Sequence, residues 1–250
     1  MNANASNSFN WSNSISINAD LGEGGANDEA LFGCVDLANI ACGGHAGDES
    51  TMRRACELAL AHGVSVGAHP SYPDRDGFGR RRPSHLNHSA LLDEICRQVE
   101  AFEAVARSVG LAPQHFKPHG QLYNDAAVDE ALALLLIDVA RHFPHLALLA
   151  LAASPQVSLS RSAGITVLEE AFPDRAYTPM GTLVPRSQTG ALIDNEDVLT
   201  LQTKAMVRAL PFASASGEPV VVRANTLCVH GDTTHALRNA RLVRAVVSQP

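Results

Sequence analysis

Seven short apolar runs alternate with helical patterns along this chain, and the alternation most restricts its fold. The runs lie at 15–20, 37–42, 64–69, 114–119, 146–151, 165–170 and 226–230. Helical patterns lie between most of them, at 50–62, 89–109, 126–142, 156–163, 196–210 and 233–247. Apolar runs of this kind are typical of strands buried on both faces, and their alternation with helices predicts a parallel sheet. Seven units in 250 residues favour an α/β fold, a closed or nearly closed β/α barrel, with an open doubly wound sheet as the alternative.

The remaining segments predict one barrel domain over 15–250, preceded by a tail. Residues 1–14 are rich in Asn and Ser and lack the features of a signal peptide, so we expect a disordered tail. The stretch 218–224 predicts a further strand, in a short hairpin arm before the last barrel strand. The most apolar stretch, 131–153, contains charged residues and a proline, which argues against a membrane span.

Charge and cysteine content narrow the functional class. A net charge of -7 argues against nucleic acid as a partner. The five cysteines are scattered and include no CxxC pair, so neither a disulfide framework nor a structural zinc site is indicated. We therefore expect a cytoplasmic enzyme that binds neither nucleic acid nor a membrane.

Acidic, basic and imidazole side chains stand where the predicted strands end. In chain order they are Asp20, His45, Asp48, His69, Lys117, His119, His230 and Asp232. One glycine-rich turn with a histidine, such as 39–48, is more often only a turn. Because the pattern recurs after several strands, and parallel strands end at one rim, we expect an active site there.

This set of residue types suits more than one chemistry. Histidine titrates near neutral pH and suits proton transfer, and a lysine can stabilise a developing oxyanion. The alternative for Lys117 is a plain ion pair with a rim carboxylate such as Asp20 or Glu23. Aspartate with two or three histidines also binds divalent metals, although the sequence has no HExxH motif and predicts no HxxxH pair on a helix. The basic loop 74–82 favours an anion site or a solvated arginine run about equally.

Longer motifs resemble those of the LamB/YcsF family, in the same order from about residue 15 to the C-terminus. They are Asn-Ala-Asp-Leu-Gly-Glu at 18–23, Ala-Asn-Ile-Ala-Cys-Gly-Gly-His-Ala-Gly-Asp at 38–48, Val-Gly-Ala-His-Pro-Ser at 66–71, Gly-Phe-Gly-Arg-Arg at 77–81, Lys-Pro-His-Gly at 117–120, Leu-Tyr-Asn at 122–124, Asp-Arg-Ala-Tyr at 174–177, Gly-Thr-Leu-Val-Pro-Arg-Ser at 181–187 and Cys-Val-His-Gly-Asp at 228–232. The resemblance implies a seven-stranded β/α barrel of the glycoside hydrolase/deacetylase type. It also implies the A subunit of the bacterial ATP-dependent 5-oxoprolinase.

The resemblance further implies a reaction, partners and site residues. The reaction converts 5-oxo-L-proline, ATP and water into L-glutamate, ADP and phosphate, and the partners are subunits B and C. Because the chain lacks GxxxxGK[ST] and GxGxxG, we expect the partner subunits to bind ATP. Together with the strand-end pattern, the motifs predict catalytic residues Asp20, His45, Asp48, His69, Lys117, His119 and Asp232. They predict substrate-binding residues Glu23, Asn39, Gly43, Arg80, Arg175, Arg186 and His230.

Two departures from the family pattern concern the first strand. The cysteine that usually precedes Asp20 is Ala19 here, so a cysteine nucleophile at that position is not required. The loop 24–28 is also shorter than usual, which bears on the rim next to the first strand.

Several roles remain open from the sequence. Within a 5-oxoprolinase the chain either activates the lactam for phosphorylation by a proton shift, or delivers water to a phosphorylated lactam. The alternatives are a metal-dependent amide hydrolase acting alone, as in barrel deacetylases, and a regulatory binding subunit without activity.

Overall fold

A closed parallel barrel forms the centre of the computed structural model, which describes residues 15–84, 86–231 and 235–249. In chain order its strands are β1 (Ser16–Leu21), β2 (Leu37–Ala41), β3 (Ser65–His69), β4 (His115–Phe116), β5 (Ala147–Leu151), β6 (Val167–Ala171) and β9 (Thr226–Val229). Each strand pairs with the next, and β9 closes the barrel against β1. The prediction of a barrel with seven parallel strands is confirmed. The tail predicted at 1–14 lies outside the described residues.

A small antiparallel hairpin precedes the last barrel strand. It pairs β7 (Phe212–Ala213) with β8 (Pro219–Val220). The sequence predicted a hairpin arm here, although the paired part of 218–224 is shorter than expected.

Helices surround the barrel and return the chain from one strand to the next. Those among the described residues are α1 (Asp28–Leu31), α2 (Glu49–His62), α3 (His88–Ser108), α4 (Gly120–Ala126), α5 (Glu130–His142), α6 (Pro155–Ser162), α7 (Glu196–Val207) and α8 (Ala236–Val247). Their apolar faces pack on the outside of the strands, as Ile95, Val99 and Phe102 of α3 show by their complete burial. None of the described helices is long and apolar enough to cross a membrane.

Two predicted elements differ from the structure. The run 114–119 forms only a two-residue strand, since Pro118 has no N–H and the His119 N–H bonds to the Pro70 carbonyl instead. The helix predicted over 126–142 begins only at Glu130, because the Asp129 carboxylate accepts bonds from the first N–H groups of α5, and the separate short helix α4 before it was not predicted. The predicted start of the last helix, at 233, lies outside the described residues.

His115 lies in the interior of the barrel, where burial changes its protonation. Its ring is fully buried against Gly67, where an added Cβ would lie 2.3 Å away, and Nε2 bonds to the Asn39 side chain at 2.8 Å. Burial, helped by Lys117 and His69 and opposed by Asp20, lowers the pKa of His115 to about 3.

We expect His115 to weaken the fold as the solution becomes acidic. A histidine whose pKa is depressed by folding binds its proton more readily when unfolded, so its contribution to stability is lost as pH falls below about 6.5, by up to ~1.4 kcal/mol per pH unit. Denaturant titrations between pH 7 and 4 should give a shallower loss of stability for His115→Gln than for the wild type. The same change at exposed His142 serves as the control, and an unchanged slope for His115→Gln would contradict the assignment.

Candidate active site

A cavity of about 770 Å³ opens at the carboxyl ends of the barrel strands. Residues at or just after the ends of β1, β4, β5, β6 and β9 line it, among them Asp20, Glu23, Lys117, His119, Arg175 and His230. The strand-end side chains that the sequence singled out therefore largely meet at one rim.

Four side chains, which we call the histidine cluster, converge beside this cavity: Glu23, His45, His69 and His119. One donor atom from each lies within 4.8 Å of all the others. Glu23 Oε1 is 2.9 Å from His45 Nε2, 3.3 Å from His119 Nδ1 and 3.7 Å from His69 Nε2. The rings of His45 and His119 are stacked, with centroids 3.6 Å apart.

The outer nitrogens of two cluster rings are fixed by backbone carbonyls. His69 Nδ1 is 2.7 Å from the Lys117 oxygen, and His119 Nε2 is 3.0 Å from the Phe78 oxygen. A carbonyl only accepts, so these two nitrogens carry the ring protons. The inner nitrogens, His69 Nε2 and His119 Nδ1, lie 2.9 Å apart and in neutral rings are both acceptors. Two facing lone pairs beside a carboxylate require a cation between them, either a proton or a metal ion.

The loop 74–82 closes over the imidazole rings. Phe78 adopts a left-handed backbone conformation with φ 54°, and its ring meets those of His45 and His119 edge-on. Its neighbour Gly79 approaches so closely that an added Cβ would lie 2.8 Å from the His119 ring. A bulky residue held at positive φ is uncommon and costs energy, which fits a segment shaped for the site.

The arginines of this loop have separate roles. Arg81 forms an ion pair with Asp74, and Arg75 donates to the carbonyls of Gly43 and Gly47. Arg80 lines the cavity and lies over the Phe78 ring. Of the basic residues in the loop named here, Arg80 is therefore the one that reaches the cavity.

Lys117 stands in a buried ion-pair network next to the cluster. Its Nζ is 2.9 Å from Asp20 Oδ1 and 2.8 Å from Glu170 Oε1, and only 3% of the side chain is exposed. Burial opposes the charge, but Asp20, Cys228 and Glu170 raise the pKa of Lys117 well above its ordinary value. The structure thus shows Lys117 as the ion-pair partner of the rim carboxylate Asp20.

Asp20 links that network to the histidines. Its Oδ2 is 3.3 Å from His69 Nε2, while the Asn39 amide donates to Oδ1 at 2.8 Å. Burial alone would raise the pKa of Asp20, but the His69 and Lys117 charges hold it well below its usual range. Asn39, predicted to bind substrate, is fully buried and orients Asp20 from beneath.

The electrostatic balance of the site is negative. Burial raises the pKa of Glu23, but its close contacts with the His119 and His45 rings outweigh burial and lower that pKa to about 2. Burial lowers the pKa of His45 to about 4. Among the described residues around the cluster, the carboxylates of Asp20, Glu23 and Glu170 face the single ammonium of Lys117. A divalent cation would offset this excess of negative charge.

Two predicted site residues do not join the cluster. Asp48 is exposed and is the N-cap of α2, where its carboxylate accepts the Thr51 N–H at 2.9 Å; bonds from Thr51 and Ser50 lower its pKa. The prediction that Asp48 is catalytic is corrected, because the capping box turns its carboxylate to the helix. Gly43 contributes its carbonyl to Arg75 and lies outside the cavity lining. Asp232 lies outside the described residues.

The opposite wall of the cavity carries the remaining predicted residues. His230 Nδ1 is 2.7 Å from Asp174 Oδ2, and the His230 ring stacks on Phe172. Arg175 and Arg186 line the cavity beside this pair. Glu170 and Phe78 were not among the predicted site residues. The available signals were an acid at the end of the apolar run 165–170 for Glu170 and the motif at 77–81 for Phe78.

The fold and site define a β/α barrel with a histidine–carboxylate centre at the carboxyl ends of its strands. The sequence model of the LamB/YcsF family matches residues 15–250, and the chain belongs to that family. It is similar to the lactam utilization protein from Thermus thermophilus, at 37% identity over 95% of this chain and 97% of that one, with a TM-score of 0.87. A proposed cellobiose-phosphate cleavage protein from Enterococcus faecalis shares the fold, at 14% identity over 94% of this chain and 91% of that one, with a TM-score of 0.53.

Proposed function

We propose that this chain is the A subunit of an ATP-dependent 5-oxoprolinase, acting with subunits B and C on 5-oxo-L-proline. Membership of the LamB/YcsF family and the similarity to a lactam utilization protein support the substrate class. The observation that carries the proposal is the histidine cluster beside a cavity of about 770 Å³, which places acids and bases around a small ligand. The lack of a nucleotide-phosphate motif in this chain supports the part of the proposal in which the partner subunits bind ATP.

The proposed chemistry begins with the lactam itself. A lactam is resonance-stabilised, and ATP activates its oxygen only in the imidate form, in which the ring proton has moved from nitrogen to oxygen. In this scheme Glu23 accepts the proton from the ring nitrogen, and a protonated imidazole of the cluster gives one to the lactam oxygen. The net change is a proton shift, so the cluster returns to its starting state after one further transfer from Glu23 to the inner nitrogen of His119, 3.3 Å away. The same groups also suit delivery of water to a phosphorylated lactam.

The cluster also fits a divalent metal ion. The inner nitrogens of His69 and His119 face each other without a hydrogen-bond donor between them. The outer nitrogens of the same two rings bond to backbone carbonyls, as those of metal-binding histidines usually do. The carboxylate of Glu23 adds an oxygen ligand. Glu23, His45, His69 and His119 would hold the ion. A bound ion would supply Lewis acidity toward a carbonyl oxygen or lower the pKa of bound water.

We expect the protein to contain bound metal that depends on the inner nitrogens of the cluster. His119→Gln should lower the metal content measured by mass spectrometry on extensively dialysed protein, whereas His62→Gln, an exposed matched change, should not. Removing a hydrogen-bond partner of a metal ligand typically lowers the metal affinity by ~10–100-fold. Removing one of the ligands should cost at least as much. Metal-free wild-type protein after expression in metal-supplemented medium would refute the metal assignment and leave a shared proton between the rings.

A second candidate is a metal-dependent amide hydrolase that acts without partners. The observation that supports it is the donor set of the cluster, one carboxylate and three imidazoles.

Turnover of 5-oxoproline by the purified chain separates the two proposals. We expect this chain alone neither to hydrolyse ATP nor to release glutamate from 5-oxoproline, because activation of the lactam needs a nucleotide that the partners bind. Steady glutamate release by the purified chain without ATP would overturn the subunit proposal and establish the hydrolase.

A further inference from the structure

The wall of the cavity opposite the histidine cluster carries two guanidinium groups. Arg175 follows β6, lies only 6% exposed, and lines the cavity together with Arg186. The two guanidinium groups are close enough to repel each other, and burial together with Arg186 lowers the pKa of Arg175. The charged form of Arg175 is therefore stabilised when an anion comes near.

The hydrogen bonds of Arg175 position its guanidinium without neutralising it. Nη2 donates to the Val184 carbonyl at 2.6 Å and Nε to the Ala191 carbonyl at 3.3 Å. No carboxylate within the described part of the chain lies within ion-pair distance of it; the charge of nearby Asp174 acts on Arg175 from farther away, and its Oδ2 bonds to His230. A buried guanidinium held by carbonyls and facing a cavity is a preformed site for a carboxylate, which pairs with Arg in a fork.

Lys117 is not free for that task. Its ammonium is already held by the carboxylates of Asp20 and Glu170 at 2.9 and 2.8 Å. A substrate carboxylate next to those two carboxylates would be repelled. Carboxylates thus line the histidine side of the cavity, and Arg175 brings a guanidinium to the other side.

We propose, building on the function above, that Arg175 binds the carboxylate of 5-oxo-L-proline and so turns the lactam group toward the histidine cluster. The substrate matches the polarity of the cavity, with an anionic carboxylate for Arg175 and a neutral lactam for the cluster. Arg175 then distinguishes carboxylated lactams from plain ones.

Two ligands and three variants test this inference. Calorimetry on the full chain would measure binding of 5-oxo-L-proline and of 2-pyrrolidinone, the same lactam ring without the carboxylate. KM values for 5-oxo-L-proline would be measured in the complex with subunits B and C. The variants are Arg175→Met, Arg175→Lys and, as a matched control, Arg208→Met at the exposed end of α7.

We expect Arg175→Met to weaken binding of 5-oxo-L-proline by about 10–100-fold, the loss typical of a hydrogen bond to a charged group, and to leave binding of 2-pyrrolidinone unchanged. Arg175→Lys should recover part of the loss, and Arg208→Met should have no effect. Equal weakening of both ligands would show a purely structural role and overturn the inference, as would no weakening at all or no binding of 5-oxo-L-proline to the wild type.

The outcomes also separate this inference from the proposed function. If the complex with Arg175→Met turns over 5-oxo-L-proline as well as the wild type does, the proposed function is supported and the carboxylate site at Arg175 is contradicted. Binding of 5-oxo-L-proline that depends on Arg175, without turnover in the presence of all partners and ATP, supports the carboxylate site and removes the proposed function.

Discussion

Lys117→Met is expected to lower the free energy of unfolding by about 3–5 kcal/mol, the cost of removing one partner from a buried ion pair. The ammonium lies between two carboxylates, those of Asp20 and the fully buried Glu170. Methionine fills a similar volume but leaves both carboxylates without their counter-charge. Denaturant unfolding followed by circular dichroism measures the loss.

A second variant shows whether the loss is electrostatic. Adding Glu170→Gln to Lys117→Met removes one of the uncompensated charges, so the double variant should be more stable than the single one. Lys204→Met, at the only other lysine, is the matched control and should change stability little. If the single and double variants are equally stable, the packing of Lys117 rather than its charge holds this part of the barrel.

His45→Ala is expected to reduce turnover of the assembled enzyme by about 10²–10⁴-fold, the usual contribution of a general acid or base. His45 contacts Glu23 through Nε2 at 2.9 Å, while its Nδ1 has no hydrogen-bond partner among the described residues. The change therefore removes no second structural bond from the ring, and the fold should survive. Rates would be expressed per folded molecule, with His62→Ala as the exposed control.

Asp20→Asn tests the same site, but its effect on turnover is harder to separate from an effect on stability. It should also abolish turnover, but the Asp20 ion pair with Lys117 means that it destabilises the fold as well. Near-normal turnover of folded His45→Ala protein would remove the histidine cluster from the mechanism.

The barrel was predictable because its strands are buried on both faces and therefore read as apolar runs. The site was predictable in outline because strand order alone brings strand ends to one rim, which joined Asp20, His69 and His119. What the sequence left open depended on orientation. Asp48 follows the same strand as His45, yet an aspartate at a helix start finds N–H donors within its own turn and leaves the rim.

Pairings across the barrel lay beyond the sequence for a different reason. Glu170 of β6 meets Lys117, the residue after β4, only because the barrel closes, and the register of a closed barrel is set by all of its strands together. The tight fit of Gly79 on His119 likewise depends on how 74–82 folds across the rim. Neither contact leaves a periodic signal in the chain.

Glutamate formation from 5-oxo-L-proline and ATP is the most direct measurement of the central proposal. It would be made with purified subunits B and C, first without this chain and then with it in equimolar amount. We expect glutamate and phosphate only when all three chains and ATP are present. Glutamate production by subunits B and C without this chain, or no production by the complete mixture, would contradict it.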